Sequence, residues 1–440
     1  MQQQQQMIDA QTTDTRPRSA VSTGVGLVGL AGLTVCYAAV RFWSLNSPWV
    51  PIVGLAACAL PMLLWSLLVD RVHRNPSTGI DWSGEPRPWR DAADTGLVKL
   101  GGLWTTWGLI ACFYAVGRWY WAGDYLYAMD VLRMALLPLL ILSVPYVIWL
   151  DRRLVEPRDG AWAFGTWLFS AGRGTDAALR RKIAEHGRSW AIKAFFTAFM
   201  LSALRGNWAA AAGANPQAMA ADPVALAEGM IAIMFLIDVS LGTVGYLFTM
   251  RPLDSHIRSG NPFVAGWAAA LICYPPFILM GSGGPLDYQQ HQLGWARALS
   301  DHPMLQPLWA FALIALTGVY AWATVAFGLR FSNLTHRGIL THGPYRFTKH
   351  PAYVAKNLFW WLASLPILTT SGDWHDALRN SCLLAVISGV YFWRAKTEER
   401  HLMPDPAYRA YAGWMACRGP LAKALAVVRP ARSKAMQPAE

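Results

Sequence analysis

Charge is what this chain has least of. Only 15% of its 440 residues are Asp, Glu, Lys or Arg, while 54% are hydrophobic and 23 are Trp. That balance excludes an ordinary soluble domain. Metal-type and disulfide-type cysteine patterns are missing too. Cys36, Cys58, Cys112, Cys273, Cys382 and Cys417 form no CxxC and no Cys/His ligand spacing, and the first five sit in apolar runs. They read as buried small hydrophobes, so neither a disulfide framework nor a structural metal is expected. The N-terminus, MQQQQQMIDAQTTDTRPRSA, lacks a signal-peptide design, because its charges precede a full-length span and not a short cleavable core. Residues 1–20 are expected to form a disordered tail. No internal repeat is evident, and the apolar segment broken at Pro275-Pro276 has no counterpart elsewhere, which argues against an inverted-repeat transporter.

What is present is a succession of apolar runs near the ~20 residues that cross a bilayer core. They fall at roughly 21–43, 48–69, 97–119, 129–150, 190–204, 225–250, 262–280, 307–327, 353–368 and 377–393. Every second connection, beginning with the N-terminal tail, is rich in Lys and Arg, and the alternate ones hold almost none beyond Arg205 and Arg297. The positive-inside rule then gives about ten spans with both termini in the cytoplasm. The net charge of +12 follows this topological pattern, so nucleic acid is not an expected partner.

The expected fold class is therefore all-α, a polytopic transmembrane helix bundle, multi-pass in a bacterial inner membrane. We divide it into the tail, an N-terminal membrane module over 21–304 and a C-terminal core over 305–440 that ends in a basic tail. A short surface helix is expected around Thr175–His186 with Asp176 near its start, and Asn215-Pro216 should break the following span. Asp130 and Arg133, three apart, should pair. Asp238 lies inside a span without a local partner. It can reach a basic group of the C-terminal region, line a wet cavity, or hydrogen-bond between helices.

Two polar clusters sit at the outer ends of the last apolar hairpin. The first is Gly343-Pro344-Tyr345-Arg346-Phe347-Thr348-Lys349-His350-Pro351-Ala352-Tyr353. The second is Arg394-Ala395-Lys396-Thr397-Glu398-Glu399-Arg400-His401-Leu402, with Tyr408 and Tyr411 close behind. A hairpin returns its ends to one side, so the clusters should meet. GPYRFTKHPAY is similar to the Gly-x-Tyr-x-x-x-Arg/Lys-His-Pro-x-Tyr signature of the isoprenylcysteine carboxyl methyltransferase family, and the second cluster resembles that family's second signature in order and spacing. The resemblance covers roughly the last third of the chain. Lys349 stands where Arg is commoner, which keeps the charge, and Ala355 stands where Gly is usual, which alters how closely a helix packs.

The resemblance implies an integral-membrane methyltransferase that uses S-adenosylmethionine and acts on a lipid-like or prenylcysteine-type carboxylate acceptor from the cytoplasmic side. Methyl transfer depends mainly on positioning. The donor needs a cation or N–H groups for its carboxylate, an acidic group for its amine or ribose, and an apolar wall for its adenine. Lys349, His350, Tyr345, Tyr353 and the Gly343-Pro344 turn offer the first and last, and Glu398-Glu399 offer the acid. The resemblance assigns cofactor binding to Tyr345, His350, Pro351, Tyr353 and one of the glutamates, taken as Glu399. Arg394 and Glu398 then face the acceptor.

Plainer roles stand beside these. His350 can cap a helix. Lys349, Arg346 and Arg337 can bind lipid phosphates. Arg394 and Glu398 can form an i,i+4 pair, and Tyr408 and Tyr411 can simply pack. His336 and His342 flank the turn without a clear ligand role. The competing functions are a sterol-type NADPH reductase, which would want an Arg-Asp-x-x-x-Cys block where this chain has Lys396-Thr397-Glu398-Glu399-Arg400-His401, and a non-enzymatic transporter or scaffold. The expected partners are the methyl acceptor and membrane lipids, with no metal.

Overall fold

The computed structural model describes residues 16–419. In chain order its helices are α1 (Thr23–Phe42), α2 (Val50–Leu64, continued by a π turn to Val69), α3 (Trp89–Val116), α4 (Tyr125–Asp151), α5 (Gly160–Phe169), α6 (Ala177–Gly213), α7 (Pro216–Ala221) and α8 (Pro223–Leu247). After the two-residue strand β1 (Ser259–Gly260) come α9 (Val264–Leu271), α10 (Trp295–Ala298) and α11 (Gln306–Phe327). The short strand β2 (Thr335–His336), α12 (Pro351–Ser364), α13 (Trp374–Leu402) and α14 (Pro406–Arg418) complete the order. Among the described residues six helices, α1, α2, α3, α4, α8 and α11, are long and apolar enough to cross a membrane. Helices are the expected solution there, because lipid offers no partner to an open backbone. Large apolar side chains such as Val35, Phe42, Leu137 and Phe311 point outward, as a lipid-facing surface requires.

The structure departs from the sequence pattern in four places. The surface helix expected around 175–186 and the span expected at 190–204 are one 37-residue helix, α6, capped by Asp176, whose carboxylate accepts from Leu179 N at 2.7 Å. Its basic first turns read as a loop only because their charge breaks the apolar run. The segment 262–280 is helical only over the eight residues of α9, a rise of about 12 Å against a core of about 30 Å. Its remainder is irregular backbone, buried at Cys273 but exposed at Phe277 and Ile278.

Similarly, α12 is a helix of 14 residues and stops at Leu365, which takes a left-handed conformation (φ 44). Of the cysteines, Cys58 and Cys273 are buried and Cys36 half-buried, but Cys112, Cys382 and Cys417 are exposed. For Cys112 and Cys382 the reason is that an apolar run in a bilayer can face lipid instead of a protein core.

Asn215 accepts from Gln217 N and opens α7, so the expected break after α6 is present. Asp130 and Arg133 pair at 3.3 Å. Residues 16–20 lie along the later chain: Ala20 N donates to Ile339 O at 2.9 Å, Thr341 Oγ1 to Pro17 O at 2.7 Å, and Ser19 Oγ lies 2.7 Å from His342 Nδ1. The rest of the expected tail, and the basic tail after 419, lie outside the described residues.

Helix α8 is the axis of the bundle, packed against α2, α6 and α11. Its second half is buried from Asp238 to Tyr246. Gly245 lets the chain after α11 lie directly on it, since a Cβ there would come within 2.6 Å of Phe331 O. β1 pairs antiparallel with β2 beside the first motif, while Gln292 bridges to Thr369 near the start of α13. The segment between β1 and Gln292 therefore runs from one end of the α12–α13 hairpin to the other.

Candidate active site

The first motif is held by two buried arginines. Arg330 Nη2 meets Asp254 Oδ2 at 2.7 Å and its Nη1 donates to Arg337 O at 2.7 Å. Arg337 is only 2% exposed, and it donates to Ser255 O at 2.6 Å and to Gly245, Phe331 and Leu329 O at 2.8 Å each. An arginine keeps its charge, so its burial requires such a set of acceptors. This corrects the lipid-phosphate role for Arg337, which never reaches the surface. Gly338 follows with φ 109, and a Cβ there would strike Arg330 Nη1. Arg346 is exposed beside Phe347 at the rim, where a lipid contact is open to it.

His350 and Pro351 start α12. His350 occupies the N-cap position but makes no side-chain cap. Its ring instead stacks on Tyr353 (5.6 Å, 3°) and its Nε2 lies 3.1 Å from Glu399 Oε1. Lys349 Nζ reaches the same oxygen at 2.7 Å, and Lys396 Nζ reaches Glu399 Oε2 at 3.0 Å. Burial alone would raise the Glu399 carboxyl, but these hydrogen bonds from His350, Lys349 and Lys396 outweigh it and hold the group well below the usual carboxylate range. The Tyr353 hydroxyl donates to Glu398 Oε1, which Arg394 Nε also approaches at 3.4 Å. The two clusters, 45 to 49 residues apart in sequence, thus touch through side chains.

Arg394 is 2% exposed. Besides Glu398 it donates to Asn333 Oδ1 at 2.6 Å and to the Tyr274 hydroxyl at 3.4 Å, and it lies 5.1 Å from the centre of the Tyr353 ring. The i,i+4 pair with Glu398 is therefore one contact among several. Tyr408 and Tyr411 are buried, and the Tyr411 hydroxyl donates to Tyr345 O at 2.6 Å, tying α14 to the motif turn. Burial raises both phenols above their usual range.

These groups surround a cavity of about 170 Å³. Tyr345, Lys349, His350, Tyr353, Arg394 and Glu398 line it, while Pro351 and Glu399 stand behind its wall. His336 and His342 do not line it; His342 is turned to Ser19. Sequence reading missed Asn333, Tyr274, Tyr320, Tyr391 and Lys356, all cavity-lining. Of these only Lys356 carries a local signal, an ionisable side chain inside an apolar run. Asp238, the isolated acid of α8, accepts from the Tyr320 hydroxyl at 2.9 Å and from Thr324 on α11, and lies within electrostatic reach of Lys356, so it both bonds between helices and reaches a basic group of the C-terminal region.

The donor set fits S-adenosylmethionine. Lys349 and the imidazole of His350 suit its carboxylate, Glu398 its amine or ribose, and Tyr345, Phe327 and Phe331 offer an aromatic wall to adenine. The fold and this site define an integral membrane protein with a largely apolar cavity, edged by charged side chains, at its last helical hairpin. Residues 305–404 match the model of the Isoprenylcysteine carboxyl methyltransferase (ICMT) family. That segment runs from just before α11 to the end of α13, and it agrees with the resemblance carried by the two motifs and with a membrane methyltransferase. Comparisons with curated proteins and with solved structures return no match.

Proposed function

We propose that the protein transfers a methyl group from S-adenosylmethionine to a lipid-like acceptor bearing a carboxylate, of prenylcysteine type or related to it. The observation that carries this reading is the junction of His350 and Tyr353 with Glu398 and Glu399 across the cavity. When bound, the donor supplies an electrophilic methyl on a sulfonium. The chain's own work is to bind and orient. Lys349 and His350 hold the donor's carboxylate, with Glu399 keeping both in place from behind. Tyr345 and Tyr353 form the wall, and Pro351 fixes the start of α12.

Arg394 orients the acceptor and Glu398 stands between the two reactants. A carboxylate already lacks its proton, so no general base is required. Of the five Arg394 donors one remains uncommitted after Glu398, Tyr274 and Asn333. The acceptor is then met by a single N–H and not by a fork. On this reading residues 305–440 are the catalytic core, and residues 21–304 a membrane module that supports it. Both termini and the cavity mouth face the cytoplasm of a bacterial inner membrane, which the alternation of Lys/Arg-rich connections supports.

The test is calorimetric titration of S-adenosylmethionine into the purified chain, His350→Ala and Glu399→Ala. A hydrogen bond to a charged group is worth about 1.5–3 kcal/mol, so each variant should bind roughly tenfold or more weakly. Unchanged affinity in folded variants removes those residues from the donor site. Methyl-labelled donor incubated with membranes, followed by mass spectrometry of lipids and proteins, identifies the acceptor.

A further inference from the structure

Lys356 lies one turn beyond Tyr353 on α12 and lines the cavity. Its Nζ is 5.5, 5.1 and 5.7 Å from the ring centres of Tyr320, Trp360 and Tyr391. Among the described residues it makes no hydrogen bond and no salt bridge. An ammonium withdrawn into an apolar run is costly and is normally paired. Three rings attract it through their faces, but they do not neutralise it.

Arg394 adds a second cation. Its Cζ is 5.9 Å from the same Tyr391 ring, and it lines the same cavity. Like charges this near repel strongly in a poorly hydrated site. The carboxylates beside them hydrogen-bond to groups other than Lys356: Glu398 to Tyr353 and Arg394, Asp238 to Tyr320 and Thr324. Two cations thus face one cavity; Asp238 lies within electrostatic reach of Lys356 but makes no hydrogen bond to it, and the Lys356 donors are free.

We infer that Lys356 is an anion-binding group at the inner end of the cavity, selecting a methyl acceptor with a negatively charged head. The ligand class is an amphiphile headed by a carboxylate or phosphate; an ammonium-headed one is repelled. Asp238 acts as a positioning residue, fixing by its hydrogen bond the Tyr320 ring on which Lys356 rests. Through Asp238 helix α8, outside the family-matched segment, takes part in choosing the acceptor. The word acceptor rests on the methyltransferase reading, while the anion site does not.

The experiment measures binding of radiolabelled dodecanoate to the full chain in neutral detergent. Competitors are dodecyl phosphate, dodecyltrimethylammonium and inorganic phosphate, and donor affinity is measured on the same samples. Dodecanoate and dodecyl phosphate should compete with each other, and the ammonium amphiphile should not. Lys356→Met should weaken dodecanoate about tenfold or more, with Lys356→Arg recovering part of the loss and donor affinity unchanged. Equal competition by the ammonium amphiphile, or unaltered binding in folded Lys356→Met, overturns the proposal. So does inorganic phosphate competing as well as dodecyl phosphate, since the site would then take a free anion and not an acceptor head. If Lys356→Met does not fold, the headgroup series on the unmodified chain decides. Lost headgroup selectivity with intact donor binding counts against Lys356 alone; intact selectivity without donor binding counts against the methyltransferase reading alone.

Discussion

Arg394 illustrates how much one guanidinium can be asked to hold. Its bonds to Asn333, Tyr274 and Glu398 join the loop after α11, the segment after α9 and α13. A lysine keeps the charge but offers it from a single point. Arg394→Lys should therefore lower turnover about tenfold or more while donor affinity stays near that of the unmodified chain. Measured side by side, unmodified turnover would reduce Arg394 to a helix pair worth a few tenths of a kcal/mol.

His401 gives a pH-dependent expectation. Burial, reinforced by the nearby His336, pushes its imidazole down from 6.5 to about 4. The unfolded chain then takes up the proton first as pH falls. The stability kept by leaving His401 neutral is complete above pH 6.5 and is lost progressively down to pH 4. Between pH 6.5 and 5 the loss is about 1–2 kcal/mol. Unfolding temperatures across that range should fall less steeply for His401→Gln, and parallel curves would assign the acid sensitivity to other groups.

Among the elements, α8 and the loop laid on it govern the site. Gly245→Val places a branched side chain against Phe331 O, which cannot retreat without dragging the Arg337 bond to Gly245 O. Overpacking of this kind costs about 1–3 kcal/mol. Thermal unfolding should show that loss together with weaker donor binding; an unchanged unfolding temperature would mean that the loop has slack.

None of this contact was legible in the sequence, because it joins residues 86 positions apart through backbone, with no side-chain pattern to betray it. The same is true of Asp238, whose partners lie 82 and 86 residues away on another helix. The long helices α1 to α4, α8 and α11 were legible, since each contains an apolar run long enough to stand out. So was the meeting of the two motif clusters, which follows from a hairpin. Helix α6 was not, because its charged start and apolar continuation carry opposite signals for one element. Lys356 was passed over since a single lysine in an apolar run shows nothing of the rings around it.

At the scale of the whole molecule the proposed topology puts the Lys/Arg-rich connections and the cavity on one side of the membrane. With the six native cysteines replaced, new cysteines at the exposed Asp124 and Arg346 should label from opposite faces of sealed vesicles. Labelling of both from one face would reject the proposed topology.

The cradle of Arg337 also fixes an order of assembly. Ser255 and Gly245 leave the ribosome 82 and 92 residues ahead of the arginine they receive. The guanidinium is made after the acceptors on and just after α8 that satisfy it. The motif loop is in this sense cast in a mould laid down by the earlier helices, and a gene fragment encoding the family-matched segment alone would deliver the casting without the mould.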